Sequence, residues 1–161
     1  MKAASVNEIK QELQAQHSDK LVELCLRLAR FKKENKELLT YLLFEAHNQT
    51  DYITSVKKEM DSQFTSVNQS NVYFAKKTIR KVLRTANKFI RYSSSAVVET
   101  ELLLHFCFLL QSLGPSFMRN TIIKNIYQGQ LKKIDKAING LHEDLQYDYV
   151  KQVAVLTENE W

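Results

Sequence analysis

The chain has 161 residues, a mass of 18.8 kDa and a formal net charge of +5, and this length predicts a single domain. It contains only 3 glycines and 1 proline, the residues that supply the special backbone angles of tight turns. Their scarcity argues against sandwiches, barrels and glycine-rich phosphate loops, and it favours long helices with short connections. The fold class that we expect is therefore all-α.

The N-terminal part of the chain is predicted to form a helical arm and a helical hairpin. Ser5 and Glu8 have the spacing of a capping box, in which each side chain satisfies a backbone N–H at the start of a helix. The helix that follows is short and polar, so residues 1–17 are predicted to be a loosely docked arm. Ser18 opens a second helix and Asn35 is predicted to cap a third, and the short break between them favours an antiparallel pair.

Three further helices and one loop are predicted in the middle of the chain. Thr50 has the character of an N-cap for a fourth helix, and the Ser-, Asn- and Gln-rich stretch Thr65–Asn71 is typical of a loop. A fifth helix is predicted over about Asn71–Tyr92, and Ser93–Ser95 ends it. The sixth, over about Ala96–Leu113, is apolar on nearly all sides, so we expect it at the centre of the core.

Glycine and asparagine divide the C-terminal part into a predicted seventh, eighth and ninth helix. Gly114-Pro115 combines a helix end with a helix start. Gly129 is predicted to end the seventh helix and Asn139-Gly140 the eighth. A ninth helix follows, and residues 157–161 are predicted to fray.

These helices, about seven to nine in number, are predicted to stack as antiparallel hairpins in an irregular bundle or a small HEAT-like superhelix. A superhelix needs internal repeats, and Leu21–Phe31 can be laid over Leu103–Leu113 with Cys25 on Cys107. Neither cysteine belongs to a Cys-x-x-Cys motif. Both are therefore interpreted as small buried side chains rather than as a disulfide or a zinc site.

Two segments resemble a family of all-helical bacterial proteins for which no activity is known. They are Lys20–Glu45, with the sequence KLVELCLRLARFKKENKELLTYLLFE, and Leu141–Tyr149, with the sequence LHEDLQYDY. The resemblance extends over most of the chain, implies an intracellular single-domain protein, and implies no site residues. A cytoplasmic protein is also predicted because residues 1–20 lack the apolar core of a signal peptide. No stretch reaches the ~20 apolar residues of a membrane span.

One segment carries the whole excess of positive charge. No acidic residue occurs between Asp61 and Glu99. Seven basic residues lie within this segment: Lys76, Lys77, Arg80, Lys81, Arg84, Lys88 and Arg91. At about 100° per residue they occupy one side of the fifth helix, opposite an apolar side. Lys132, Lys133 and Lys136 would extend this basic face if the eighth helix lies alongside.

Four interpretations of the basic face stay open at the level of the sequence. It could be a solvated helix face, or it could meet an acidic surface of the same chain near Glu143–Asp148. It could bind the phosphates of a nucleic acid, since rows of lysine and arginine displace counterions, and Tyr73 and Tyr92 near its ends could stack on bases. It could also bind an acidic protein, including a second copy of this chain.

Catalytic chemistry has little support in the sequence. Glu101 and His105 are four residues apart on one face of the sixth helix, and an enzyme would depend on this pair. No nucleophile-elbow, Walker, dinucleotide or HExxH motif occurs, and no metal or cofactor is predicted. We therefore expect a non-catalytic binding or scaffold module whose working surface is the basic face.

Overall fold

The computed structural model describes residues 2–158, which form nine α-helices and contain no β-strand. The predicted all-α fold is therefore confirmed. The helices are α1 (Val6–Gln14), α2 (Ser18–Phe31), α3 (Lys33–Thr40), α4 (Gln49–Phe64), α5 (Val72–Ser93), α6 (Ala96–Gln111), α7 (Pro115–Met118), α8 (Thr121–Ile138) and α9 (Glu143–Glu158). A π-helical segment, Tyr41–Glu45, follows α3. Within the described residues, no helix combines the length and the apolar character that a membrane crossing requires.

The helices group into two compact units, one ending at Phe44 and one beginning at Glu45. We call residues 2–44 the N-terminal unit and residues 45–158 the C-terminal unit. Compactness does not measure whether the two units unfold together, so a single folding domain stays a prediction. Met1 and residues 159–161, which belong to the predicted arm and the predicted frayed tail, lie outside the described residues.

The N-terminal unit contains α1, α2 and α3. α1 begins at the predicted capping box, in which the Ser5 hydroxyl accepts a hydrogen bond from Glu8 N (3.3 Å) and the Glu8 carboxylate accepts one from Ser5 N (2.7 Å). α2 and α3 pack against each other. α3 begins at Lys33, so the prediction that Asn35 caps it is wrong. Asn35 instead donates a side-chain hydrogen bond to the Leu28 carbonyl (2.9 Å) and ties α3 to α2.

The core of the C-terminal unit surrounds α6, as its apolar sequence predicts. α6 contacts α4, α5, α7, α8 and α9. Its largest fully buried side chains are Phe106, Leu102, Leu103, Leu104 and Leu110. In a superhelix each repeat contacts only its neighbours along the stack. This central helix therefore makes the C-terminal unit an irregular bundle.

The helix break that the sequence placed at Gly129 lies further upstream. The Asn120 side chain accepts hydrogen bonds from Ile122 N (3.2 Å) and Ile123 N (3.4 Å) and caps α8. α8 then continues through Gly129 to Ile138, so the prediction that Gly129 ends a helix is wrong. One glycine in a helix interior costs only about 1 kcal/mol, and α8 has buried residues on both sides of it that stabilise the continuous helix.

The two cysteines lie in different environments. Cys107 is buried in α6, as predicted, but Cys25 is exposed on α2, so the prediction of a buried Cys25 is wrong. Cys25 shares this exposure with the whole of α2, which contains no buried residue although its apolar residues recur at helical spacing. The aligned segments Leu21–Phe31 and Leu103–Leu113 therefore do not occupy equivalent positions in a repeated structure.

Candidate polyanion-binding groove

Asn71 and a left-handed serine set the two ends of α5, the helix that carries the basic residues. The Asn71 side chain accepts hydrogen bonds from Tyr73 N (2.9 Å) and Phe74 N (3.4 Å), which satisfies donors that a helix start leaves free. At the other end Ser94 has a φ of 49° and turns the chain out of the helix. α5 thus has nearly the bounds that the sequence predicts.

α5 also has the two faces that its sequence predicts. Ala75, Ile79 and Val82 are fully buried on the side that packs on α4 and α6, at the spacing expected of a core-facing stripe. Five of the seven basic residues are exposed: Lys77, Arg80, Lys81, Arg84 and Arg91. Lys76 and Lys88 are half-buried. The helix therefore uses one side for the core and presents positive charge on the other.

A groove of about 510 Å³ runs along the charged side of α5. We call it the basic groove. Four of its lining residues are cations: Lys76, Lys77, Arg80 and Arg84. Tyr73 and Asn87 line its two ends, about 21 Å apart along the helix at 1.5 Å per residue. Leu83 and one residue of α8, Ile122, add apolar lining. The groove thus combines a row of charge with an aromatic ring.

Most of these cations have no anionic partner in the described part of the chain. Within residues 2–158, six of the seven form no salt bridge: Lys76, Lys77, Arg80, Lys81, Arg84 and Arg91. The carboxylates that the sequence offered as an internal acidic surface, Glu143, Asp144 and Asp148, are themselves exposed on α9. Uncompensated charges of one sign in a groove attract ions of the opposite sign.

Two exposed aromatic rings lie at the Tyr73 end of the basic groove. Tyr73 is 72% exposed and Phe74 is 55% exposed. Their ring centroids are 5.5 Å apart and their planes meet at 80°, an edge-to-face contact that favours a defined ring orientation. An exposed ring in this position is available for stacking on a flat ligand group.

Tyr92 does not provide a second ring of this kind. It is buried and packs edge-to-face on Phe89, with ring centroids 5.9 Å apart. The Lys88 ammonium lies 4.4 Å above the Phe89 ring, so this end of the basic face forms a cation–π cluster rather than an open platform. The prediction that Tyr92 can stack on a base is wrong, because the apolar packing of the helix end covers its ring.

Two residues of the groove lining, Asn87 and Ile122, were not predicted from the sequence. Asn87 follows Tyr73, Arg80 and Arg84 at helical spacing, a pattern that could have identified it. Ile122 comes from α8 and needs the tertiary structure. The three lysines of α8 that the sequence offered as an extension, Lys132, Lys133 and Lys136, do not line the groove.

Glu101 and His105 have separate partners on neighbouring helices. The Glu101 carboxylate accepts hydrogen bonds from Lys57 Nζ of α4 (2.5 Å) and from the Tyr149 hydroxyl of α9 (2.8 Å). Burial by itself would raise the pKa of Glu101, but the hydrogen bonds from Lys57 and Tyr149, together with the nearby positive charges of Lys57 and His105, hold that pKa below its ordinary value. His105 Nε2 lies 2.6 Å from Asp61 Oδ1 of α4. These contacts tie α6 to its neighbours, and we assign them no catalytic role.

No known protein-family model, curated protein or solved structure shows significant similarity to this chain. The bacterial family that Lys20–Glu45 and Leu141–Tyr149 resemble therefore stays a prediction. Within residues 2–158, no three or more His, Cys, Asp and Glu side chains are placed to hold one metal ion. The basic groove is the candidate site that the geometry supports best.

Proposed function

We propose that this chain is a non-catalytic binding module whose basic groove holds a polyanion, and that the polyanion is a single-stranded nucleic acid. The observation that supports this proposal is the row of four groove cations, which form no salt bridge within residues 2–158, with exposed Tyr73 at its end. Phosphates would contact the cations, and a base would stack on the Tyr73 ring. Such contacts are largely independent of sequence, because every base has a π-face and every phosphate carries the same charge.

The spacing of the cations supports a linear ligand. Residues four apart on a helix advance by about 6 Å along its axis and stay on the same side, and Lys76, Arg80 and Arg84 follow this rule. A chain of repeated negative charges can contact several of them together. Each contact releases counterions, so the affinity depends steeply on salt. A single strand is favoured over a duplex because only unstacked bases can reach an aromatic ring.

An acidic protein surface is the second candidate ligand. Glu143, Asp144 and Asp148 are exposed on α9, so a second copy of the chain could place its carboxylates against the basic face. This alternative predicts association of copies that weakens with salt and requires no nucleic acid. The oligonucleotide experiment tests the first candidate. The second candidate is tested by the mass of the free protein with and without the cations of the basic groove, since only association through the basic face is lost when those cations are removed.

The test is fluorescence anisotropy of labelled single-stranded and double-stranded oligonucleotides. If the four groove cations each contact a phosphate, raising salt from about 50 mM to about 200 mM should weaken single-strand binding about 50-fold. The variant Lys77→Ala/Arg80→Ala/Arg84→Ala removes three exposed cations and keeps good helix formers. We expect it to bind at least about tenfold more weakly and to lower the salt slope by about 2.

A matched control has the same change in charge outside the groove. Lys132→Ala/Lys133→Ala/Lys136→Ala also removes three exposed lysines from the C-terminal unit, and it should bind like the wild type. Tyr73→Ala should cost about 1 kcal/mol, or about fivefold in affinity, whereas Tyr147→Ala, at an exposed tyrosine of α9, should have no effect. Absence of wild-type binding at low salt, or equal losses in the two triple variants, would overturn the proposal.

A further inference from the structure

The N-terminal unit has an apolar surface that its own three helices do not bury. None of α1, α2 and α3 contains a buried residue. Large apolar side chains that are at least 40% exposed occur on α1 and α2: Val6, Ile9, Leu13, Val22, Leu26, Leu28 and Phe31. Short helices in water are stabilised mainly by packing of their apolar side. A partner is therefore expected to cover this surface.

We propose that the groove between α1 and α2 is a dimer interface and that its occupant is the same groove of a second copy of this chain. The groove has a volume of about 790 Å³. Gln16 and Lys20 line it beside the connection of the two helices, and Ala4 and Phe31 line it furthest from that connection. It therefore follows the two helices over their length and offers an elongated apolar floor, which includes Leu28.

The charges on the rims of this groove favour a second copy as the occupant. The α1 rim carries Glu8 and Glu12. The α2 rim carries Arg27 and Lys20, and Lys20 also pairs with Glu23 of its own helix (2.8 Å). A surface with one acidic and one basic rim is complementary to itself when a two-fold axis relates the copies, since each patch contacts its own equivalent. A uniformly acidic or basic partner would instead meet one rim of its own sign.

The same charges select the direction of the two-fold axis. An axis parallel to the groove places α1 of one copy against α2 of the other, so that acidic rims face basic rims at both edges. An axis across the groove places α1 against α1, so that acidic rims face each other and basic rims face each other. Like charges that face across an interface are unfavourable. The parallel axis is therefore part of the proposal, and it brings Glu12 of each copy towards Lys20 of the other.

The first test is the mass of the full chain by light scattering and analytical ultracentrifugation, without nucleic acid, from about 1 µM to about 200 µM. We expect twice the chain mass of 18.8 kDa at the upper concentrations. Leu28→Glu places a charge on the groove floor of each copy and should weaken the dimer at least about 100-fold. Val150→Glu introduces the same charged residue in place of a comparably exposed apolar residue of α9. This control should leave the dimer intact.

The second test examines the pairing of the rims. Glu12→Lys and Lys20→Glu each create a like-charge contact at both edges and should weaken the dimer, whereas the double variant exchanges the charges and should restore it. A monomer at every concentration, as expected if another part of the chain covers the groove, would overturn the proposal. A dimer that Leu28→Glu leaves unchanged would overturn it as well. Neither result tests polyanion binding by the basic groove. The protein variants used in the oligonucleotide experiment change only residues of the C-terminal unit.

Discussion

α2 and α6 have similar apolar patterns but very different environments. Eight of the sixteen residues of α6 are buried, whereas none of the fourteen residues of α2 is buried. The two helices align in sequence with Cys25 on Cys107, yet the first thiol is exposed and the second is buried. α6 contacts five other helices of its unit, while α2 packs mainly on α3. The same type of pattern thus serves a core helix in one unit and a surface helix in the other.

This difference shows what an apolar pattern does and does not specify. The pattern indicates which side of a helix avoids water, but it does not indicate what covers that side. In the C-terminal unit the cover comes from other helices of the same chain. In the N-terminal unit we have proposed that a second copy supplies it. Substitutions of the same kind in the two units should therefore have unequal effects.

The largest expected contrast is between apolar side chains of the two helices. Leu103 is fully buried in α6, and Leu103→Ala should lower the free energy of unfolding by about 2–5 kcal/mol because it leaves a cavity. Leu26 is 46% exposed on α2, outside the α1–α2 groove, and Leu26→Ala should lower the free energy of unfolding by less than about 1 kcal/mol. Urea denaturation followed by circular dichroism measures both values. Equal losses would show that α2 is packed as tightly as α6.

A smaller contrast concerns charged contacts that tie the C-terminal unit together. Lys57 donates to Glu101 between α4 and α6, whereas the neighbouring Lys58 is exposed and forms no salt bridge in residues 2–158. Lys57→Met should cost about 2 kcal/mol near pH 7, since it removes a hydrogen bond between charged groups that are partly buried. Lys58→Met, with the same side-chain change, should be nearly neutral.

The pH dependence of Lys57→Met follows from the pKa of Glu101, which the fold lowers below its ordinary value of 4.5. A lowered pKa stabilises the fold fully at pH values above the unfolded pKa, and this contribution is lost as the pH falls through the folded pKa. The difference between wild type and Lys57→Met should therefore be largest near neutral pH and shrink in acid below about pH 4.5. A difference that grows in acid would contradict this assignment of the contact.

The smallest contrast uses two serine caps with the same chemistry. Ser95 caps α6 and also accepts a hydrogen bond from the Gln49 side chain (2.8 Å), so Ser95→Ala should lower the unfolding free energy by about 1 kcal/mol. Ser5→Ala removes the capping box of α1, and its effect should be confined to faster hydrogen exchange in that helix. A global loss from Ser5→Ala as large as that from Ser95→Ala would contradict the predicted loosely docked arm.

The helices of this chain were largely predictable because local signals agree with the packing. The capping box at Ser5, the acid-free amphipathic helix from Asn71 and the apolar α6 all follow from spacing alone. The errors occur where a local signal competes with tertiary packing. Gly129 is a helix breaker by propensity, but α8 continues through it because its packing outweighs a cost of about 1 kcal/mol. Asn35 has the character of a cap, but its amide instead binds the Leu28 carbonyl.

The basic groove was predictable only in part. The seven cations and exposed Tyr73 follow from the helical period, because residues three and four apart share a face. The burial of Tyr92 and the contribution of Ile122 do not, since both depend on which neighbours pack against a helix. Within residues 2–158, Arg80 and Arg84 form no ion pair. This too could not be predicted, because it depends on which carboxylates the fold places within reach.

The unequal burial of Cys25 and Cys107 makes the two thiols differ in their reactivity towards an added thiol reagent. Burial raises the pKa of Cys107 to about 12, and only the thiolate is nucleophilic, so this thiol is protected while α6 stays in its core. Cys25 is exposed in the same molecule. A maleimide dye therefore attaches to Cys25 in the folded chain and reaches Cys107 only when the C-terminal unit opens. Counting labels per molecule by mass spectrometry then measures how often that unit opens, without introducing a cysteine.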